Sequence, residues 1–222
     1  MPNRVIAIGD IHGCSQALSA LLDAIQPQPA DTIVTLGDYV DRGPDSPGVI
    51  DRLIQLQTRY HLVPILGNHD EMLLEVIRGE LRRELWSVCG GDATLKSYGY
   101  QGDYNVIPAA HIEFLEQCVN YYEIETHFFV HASYDAGLAL EQQSENVLRW
   151  RKLTEEIPRP HVSGRIAILG HTPDPHGEIF DAGHLKCIDT NCYGGHWLTA
   201  LEVTSGQIWQ ANVKGQLREN AG

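Results

Sequence analysis

No CxxC pair occurs in this chain, and its five cysteines, at 14, 89, 118, 187 and 192, are odd in number. That argues against a thiolate zinc module and a disulfide framework, and predicts reduced thiols, mostly small core residues of a cytoplasmic protein. No stretch reaches the ~20 apolar residues of a membrane span, and the opening "MPNRVIAIGD" enters a strand-like run with no signal-peptide pattern. Basic residues are scarce: 16 Lys+Arg against 29 Asp+Glu leave a formal net charge of −13. Such a surface repels phosphate backbones and anionic lipid, so neither nucleic acid nor membrane is an expected partner. Bound cations would neutralise part of that charge. Internal repeats, low-complexity tracts and long linkers are missing too. At 222 residues, 43% of them apolar, the expectation is a single globular domain over 1–222 with ample core.

What is present is a rhythm. "RVIAIGDIHG" runs into Ser15–Ile25, where Leu18, Leu21, Leu22 and Ile25 recur at helical spacing. "TIVTLGDYVDRG" runs into "DSPGVIDRLIQL", which predicts Ser46 as N-cap and Pro47 as first helical residue. "HLVPILGNHD" runs into "EMLLEVIRG". Short apolar runs alternating with helices predict a mainly parallel, helix-covered sheet. Residues 80–120 then read as a helical insertion near the site. Strands resume at "YYEIE", "HFFVHA", "RIAILGHTP" and "HLKCIDT", and "HWLTALEV" with "QIWQANV" form a predicted hairpin around Thr204–Ser205–Gly206.

Five of the strand-like runs end in candidate ligands: Asp10 and His12, then Asp38, Asn68, His131 and His171. Singly, each has an ordinary explanation as a helix cap, a turn former or a hydrogen-bonded histidine. Together they converge, because the C-terminal ends of parallel strands share one rim. A mix of oxygen and imidazole donors without thiolate suits Mn, Fe or Zn. Six donors exceed the needs of one tetrahedral ion and fit two ions sharing a carboxylate, about 3.5–4 Å apart, a pair that clamps a phosphoryl group and activates a water. The neutral Asn68 supplies an oxygen while withholding a negative charge, which leaves such a pair electrophilic.

The blocks "GDIHG" (9–13), "GDYVDRG" (37–43) and "GNHD" (67–70), followed by "VHA" around His131 and "GHTP" at 170–173, resemble the PPP-type metallophosphoesterases, and within them the short bacterial and phage serine/threonine protein phosphatases. The resemblance spans nearly the whole chain. It implies an α/β fold of the metallophosphoesterase type, a β-sandwich with flanking helices (αββα) and the metal site at the strand C-terminal ends. It assigns Asp10, His12 and Asp38 to one divalent ion and Asp38, Asn68, His131 and His171 to the other, with Mn the expected metal and Fe or Zn as alternatives. It makes His69 the proton donor to the leaving oxygen, oriented by Asp41, and gives the phosphate to Arg42 and Arg151. A carboxylate-oriented histidine suits general acid catalysis, and a guanidinium fork suits phosphate.

The chain departs from the family where Asp70 replaces the usual glutamate, a side chain placed to cap the following helix or to fix the preceding loop. "VLRWRKL" offers Arg149 as well as Arg151 for the second phosphate-binding position. Tyr193, in "IDTNCYGGHW", is either a residue lining the substrate cleft or a packed loop tyrosine. The expected activity is metal-dependent removal of phosphate from phosphoserine or phosphothreonine in proteins, with phosphotyrosine and phosphohistidine as further candidates and phosphoproteins or phosphopeptides as partners. The alternative is a symmetrical dinucleoside tetraphosphate hydrolase built on the same site, although the first block of those enzymes commonly carries glutamine where this chain has His12. A non-catalytic scaffold would be free to lose ligands or His69, and none is missing.

Overall fold

A computed structural model describes residues 3–219; the outermost positions of the 1–222 domain expectation, including Met1 and Pro2 of the first run, lie outside the described residues. The chain opens with β1 (Val5–Ile8), α1 (Ser15–Ile25), β2 (Thr32–Thr35), α2 (Ser46–Gln57), β3 (His61–Pro64) and α3 (Asn68–Arg78). Three further helices follow, α4 (Arg83–Ser87), α5 (Gly91–Ser97) and α6 (Ala109–Glu116). The second half holds β4 (Tyr121–Glu123), β5 (His127–Val130), α7 (Glu145–Trp150), β6 (Ile166–Leu169), β7 (Phe180–Asp181), β8 (Leu185–Cys187) and the antiparallel pair β9 (Leu198–Glu202) and β10 (Ile208–Ala211).

The apolar runs do not form one sheet, as their alternation with helices suggested. They form two five-stranded sheets, ordered β10-β9-β1-β2-β3 and β4-β5-β6-β8-β7. Each has three parallel strands, β1-β2-β3 in one, with the antiparallel β9 and β10 on the β1 side only, and β5-β6-β8 in the other, with antiparallel strands at both edges. The sheets face each other through Ala7, Val34, Leu36 and Ile65 on one side and Phe129, Ile168 and Ile188 on the other. Ile6, Ile8 and Ile33 turn outward onto Leu18, Leu21, Val49, Ile50 and Leu53 of α1 and α2. Phe128, Val130 and Leu169 turn outward onto Leu140, Leu148 and Leu153. With both faces of each parallel set covered, these strands read as unbroken apolar runs. The result is the helix–sheet–sheet–helix layering of metallophosphoesterases. Each of the buried Val, Leu, Ile and Phe side chains among them contributes about 1.5–3 kcal/mol. Exposed ion pairs such as Arg78–Glu116 contribute about 0–1 kcal/mol, so packing holds the two sheets in register.

Two helix starts differ from expectation. Asp45, not Ser46, caps α2, its carboxylate accepting from the Gly48 N–H at 3.0 Å, while Ser46 Oγ turns inward to Thr94. Helix α3 begins at Asn68 rather than after "GNHD", because Asp70 reaches back to the Gly67 N–H and closes the first turn. Asn68 and His69 are thereby held on a helix. All five cysteines are free thiols. Among the described residues no helix is long and apolar enough to cross a membrane.

Candidate metal centre

The loops that leave β1, β2, β3, β5 and β6 meet where the two sheets come together. Among the described residues, five of the seven non-glycine positions with positive φ are here: His12, Asp38, Asp41, Arg42 and His171. Backbone strain costs about 1–3 kcal/mol per residue and persists only where surroundings enforce it. Close approach is part of that enforcement, since a Cβ on Gly67 would lie 2.2 Å from both the Asp38 amide nitrogen and Asp38 Oδ1. Asp70 supplies the rest. Fully buried, it accepts from the amides of Asp38 (2.8 Å), Tyr39 (2.9 Å), Val40 (3.3 Å) and Gly67 (3.1 Å). It therefore caps α3 and also pins the 38–40 loop, which follows β2. Asp70→Ala leaves four N–H groups without that acceptor and should cost about 3–5 kcal/mol of stability. Urea unfolding of the metal-free proteins measures this, and a loss below about 1 kcal/mol, the worth of a single ordinary hydrogen bond, would refute the assignment.

The imidazoles are arranged by their second nitrogens. His131 Nδ1 donates to the Leu36 carbonyl at 2.7 Å, His12 Nδ1 to that of Val40 at 2.8 Å, and His171 Nε2 to that of Trp150 at 3.0 Å. A carbonyl can only accept, so each remaining ring nitrogen carries a lone pair when the ring is neutral. Burial favours that neutral form, pushing His12 and His171 down to about 3 and lowering His131. His131 Nε2 and His171 Nδ1 then face each other at 3.2 Å, with Asn68 Oδ1 3.1 Å and 2.9 Å away. Three acceptors so close, with no donor among them, match a cation's donor set. Asp38 stands between the two halves, Oδ1 3.5 Å from His131 Nε2 and Oδ2 3.4 Å from His12 Nε2.

Two groups of potential ligands result, each with donor atoms within 4.8 Å of one another: His12, Asp38 and His69, and Asp38, His131 and His171. Asp38 belongs to both. Asp10 stands outside these groups, with Oδ2 accepting from the His171 N–H at 2.9 Å and Oδ1 buried without a partner. Burial, then the charges of Asp189 and Asp38, push the Asp10 carboxyl well above the usual range. Asp189 follows β8 as Asp10 follows β1. It too is buried with Oδ2 unpartnered, although nothing singled out "IDTN" in the sequence beyond the same strand-then-acid pattern. Buried carboxylate oxygens left without a partner beside neutral imidazoles are the polar surroundings that divalent cations satisfy.

Beside these donors, His69 Nδ1 donates to Asp41 Oδ2 at 2.7 Å. The Trp86 indole N–H donates to the same oxygen at 2.7 Å, and the Thr94 hydroxyl donates to Oδ1 at 2.7 Å. Arg42 Nη1 donates to Tyr193 OH at 2.9 Å and to His12 Nε2 at 3.1 Å, with its guanidinium 4.7 Å above the Tyr193 ring. Arg151 pairs with Asp135 at 2.7 Å and donates to the Tyr134 carbonyl. Arg149 is buried among Glu71, Asn120 and Glu145.

A two-sheet sandwich with His, Asp and Asn donors gathered at its strand ends defines a metal-dependent phosphoester hydrolase. Residues 3–202 match the calcineurin-like phosphoesterase model, and the chain belongs to that family, whose members use divalent metals in a binuclear site. The serine/threonine-protein phosphatase 1 of Salmonella typhimurium is 28% identical over 209 residues, 90% of this chain and 92% of that protein. A symmetrical bis(5'-nucleosyl)-tetraphosphatase of an Acidovorax species is 45% identical over 76 residues, a match that spans 34% of this chain and only 26% of that enzyme. A crystal structure provisionally described as a diadenosine tetraphosphatase superposes with a TM-score of 0.71 at 24% identity, covering 99% of this chain and 95% of that one, and shares the fold.

Proposed function

We propose that the protein is a phosphomonoesterase that removes phosphate from phosphoserine and phosphothreonine in proteins by direct attack of water. The observation that carries this reading is the fixed His69–Asp41 pair beside the donor cluster. A positioned acid matters most when the leaving group is a basic alkoxide, as it is in these phosphoesters, and matters less when a nucleotide departs. The full-length likeness to a serine/threonine phosphatase supports the same choice.

In this reading Asp10, His12 and Asp38 would hold one ion and Asp38, Asn68, His131 and His171 the other, preferably Mn with Fe or Zn as alternatives, supplying a nucleophilic water at neutral pH and charge for the phosphoryl oxygens. His12 Nε2 cannot both ligate and accept from Arg42, so Arg42 keeps Tyr193 as its partner and turns its remaining N–H groups to the phosphate. Arg151, partly exposed and held only by Asp135 and a carbonyl, exchanges those contacts for the phosphate; Arg149 is committed to structural partners. His69 Nε2 gives its proton to the departing oxygen while Asp41 stabilises the ring through Nδ1.

The second reading, a symmetrical dinucleoside tetraphosphate hydrolase, draws on the 45% identical segment. A rate comparison on Mn-reloaded protein separates the two. Phosphoserine and phosphothreonine peptides should be turned over faster than diadenosine tetraphosphate releases ADP; the reverse order makes the nucleotide the substrate and leaves the site assignment standing.

A further inference from the structure

The helical insertion between α3 and β4 has no part in the strand-end ligand pattern, yet it reaches the Asp41 carboxylate at two points. From α4, the Trp86 indole contacts Asp41 Oδ2, the oxygen that also receives the His69 N–H; from α5, the Thr94 hydroxyl contacts Oδ1. All four side chains are buried, with Trp86, Thr94 and Asp41 fully enclosed. Thr94 Oγ1 also accepts the Asp41 backbone N–H at 2.7 Å and lies 3.1 Å from Ser46 Oγ, so the left-handed Asp41 backbone and its carboxylate are held by one hydroxyl. The indole cannot swing, because the Gly91 backbone lies against it: a Cβ there would fall 2.3 Å from Trp86 Cδ2. The same segment seats Arg42, whose amide donates to the Gly90 carbonyl at 3.2 Å.

We propose that Trp86 and Thr94 are positioning residues for the proton donor: by gripping both oxygens of Asp41 they fix the carboxylate plane, and through it the Nδ1–H of His69 and the direction of Nε2. The inference rests on the reading of His69 as the acid. A carboxylate gripped on one oxygen alone rotates, and the imidazole it orients follows. Trp86 and Thr94 touch no substrate atom, so their effect appears only when proton donation limits the rate.

The test uses full-length Mn-reloaded protein and two probes differing in leaving-group basicity, phenyl phosphate and p-nitrophenyl phosphate, which makes it independent of the preferred biological substrate. Trp86→Phe and Thr94→Val should each lower kcat on phenyl phosphate by about tenfold, a part of the ~10²–10⁴ that an acid contributes, with KM unchanged and p-nitrophenyl phosphate much less affected. Thr94→Ser, which keeps the hydroxyl, should restore the wild-type ratio between the two probes. The Thr94 pair is nearly isosteric and decides the question even if Trp86→Phe does not fold. Equal losses on both probes, or none, in variants whose His69→Asn counterpart shows the skew overturn the positioning role. Absence of the skew in His69→Asn itself overturns the acid reading, and the clamp's purpose with it.

Discussion

Asp38→Asn should remove more function than any other single change to the donor set. Asp38 is the only carboxylate common to both ligand groups, and its replacement by an amide withdraws one full charge from both halves of the site. Atomic emission should find at most one ion per chain in the variant where the wild type holds about two, and kcat/KM should fall by about 10³ or more, since several kcal/mol of charge stabilisation is lost. Stability of the metal-free protein should change little. Burial and mutual repulsion raise the carboxyls of Asp10 and Asp189, and removing one neighbouring charge relieves that repulsion. Against the cost of burial, the surrounding imidazoles, His131 first, hold the Asp38 carboxyl well below the usual range, and that gain is lost with the charge, so the metal-free variant should melt close to the metal-free wild type. The metal-loaded wild type should melt highest, because ligands that bind only the folded state add stability in proportion to the logarithm of their concentration. Two tightly held ions and unchanged kcat in Asp38→Asn would sink the shared-ligand assignment.

His69→Asn is the second large effect, expected at about 10²–10⁴ in kcat on phosphoserine peptides. With His69 as the acid and not a ligand, the substitution should leave the fold and the ion content in place. The His69 backbone N–H still donates to Asp38 Oδ1 at 3.0 Å, and the new amide can still face Asp41. What disappears is the Nε2 proton, so the loss should concentrate in kcat and be largest for the most basic leaving group. A loss below about threefold on alkyl phosphates would remove His69 from the chemistry, because even a weak general acid contributes far more.

The parts of this site that could be read along the chain are those made locally. A β-branched run, a glycine and a polar residue specify a strand and the turn that ends it, so Asp10, His12, Asp38, Asn68, His131 and His171 could each be placed at a strand end from neighbours a few residues away. Trp86 and Thr94 could not. Their importance comes from hydrogen bonds to Asp41, across 45 and 53 residues of chain, and a tryptophan in a helix ordinarily signals packing alone. The sequence favoured Arg151 over Arg149, but the contact that supports that preference was equally invisible in it: Glu71, 78 residues from Arg149, comes to occupy that guanidinium.

Sheet membership follows the same division. Period-two and period-3.6 patterns are properties of short segments, and they specified most helices, the donor types, the polar turns that present them and every described strand except the two-residue β7, which is too short to carry a pattern. Whether β5 and β6 continue the sheet of β1–β3 or form a second one is a matter of which apolar faces meet, and both arrangements bury a continuous apolar run equally well. Tertiary packing decided for two sheets, through Phe129, Ile168 and Ile188 against Ala7, Val34 and Leu36. It also brought His69 beside His12 and Asp38, because closing the first turn of α3 on Asp70 carries His69 into the cluster, and it tied Asp10 to the loop after β6 through the His171 N–H.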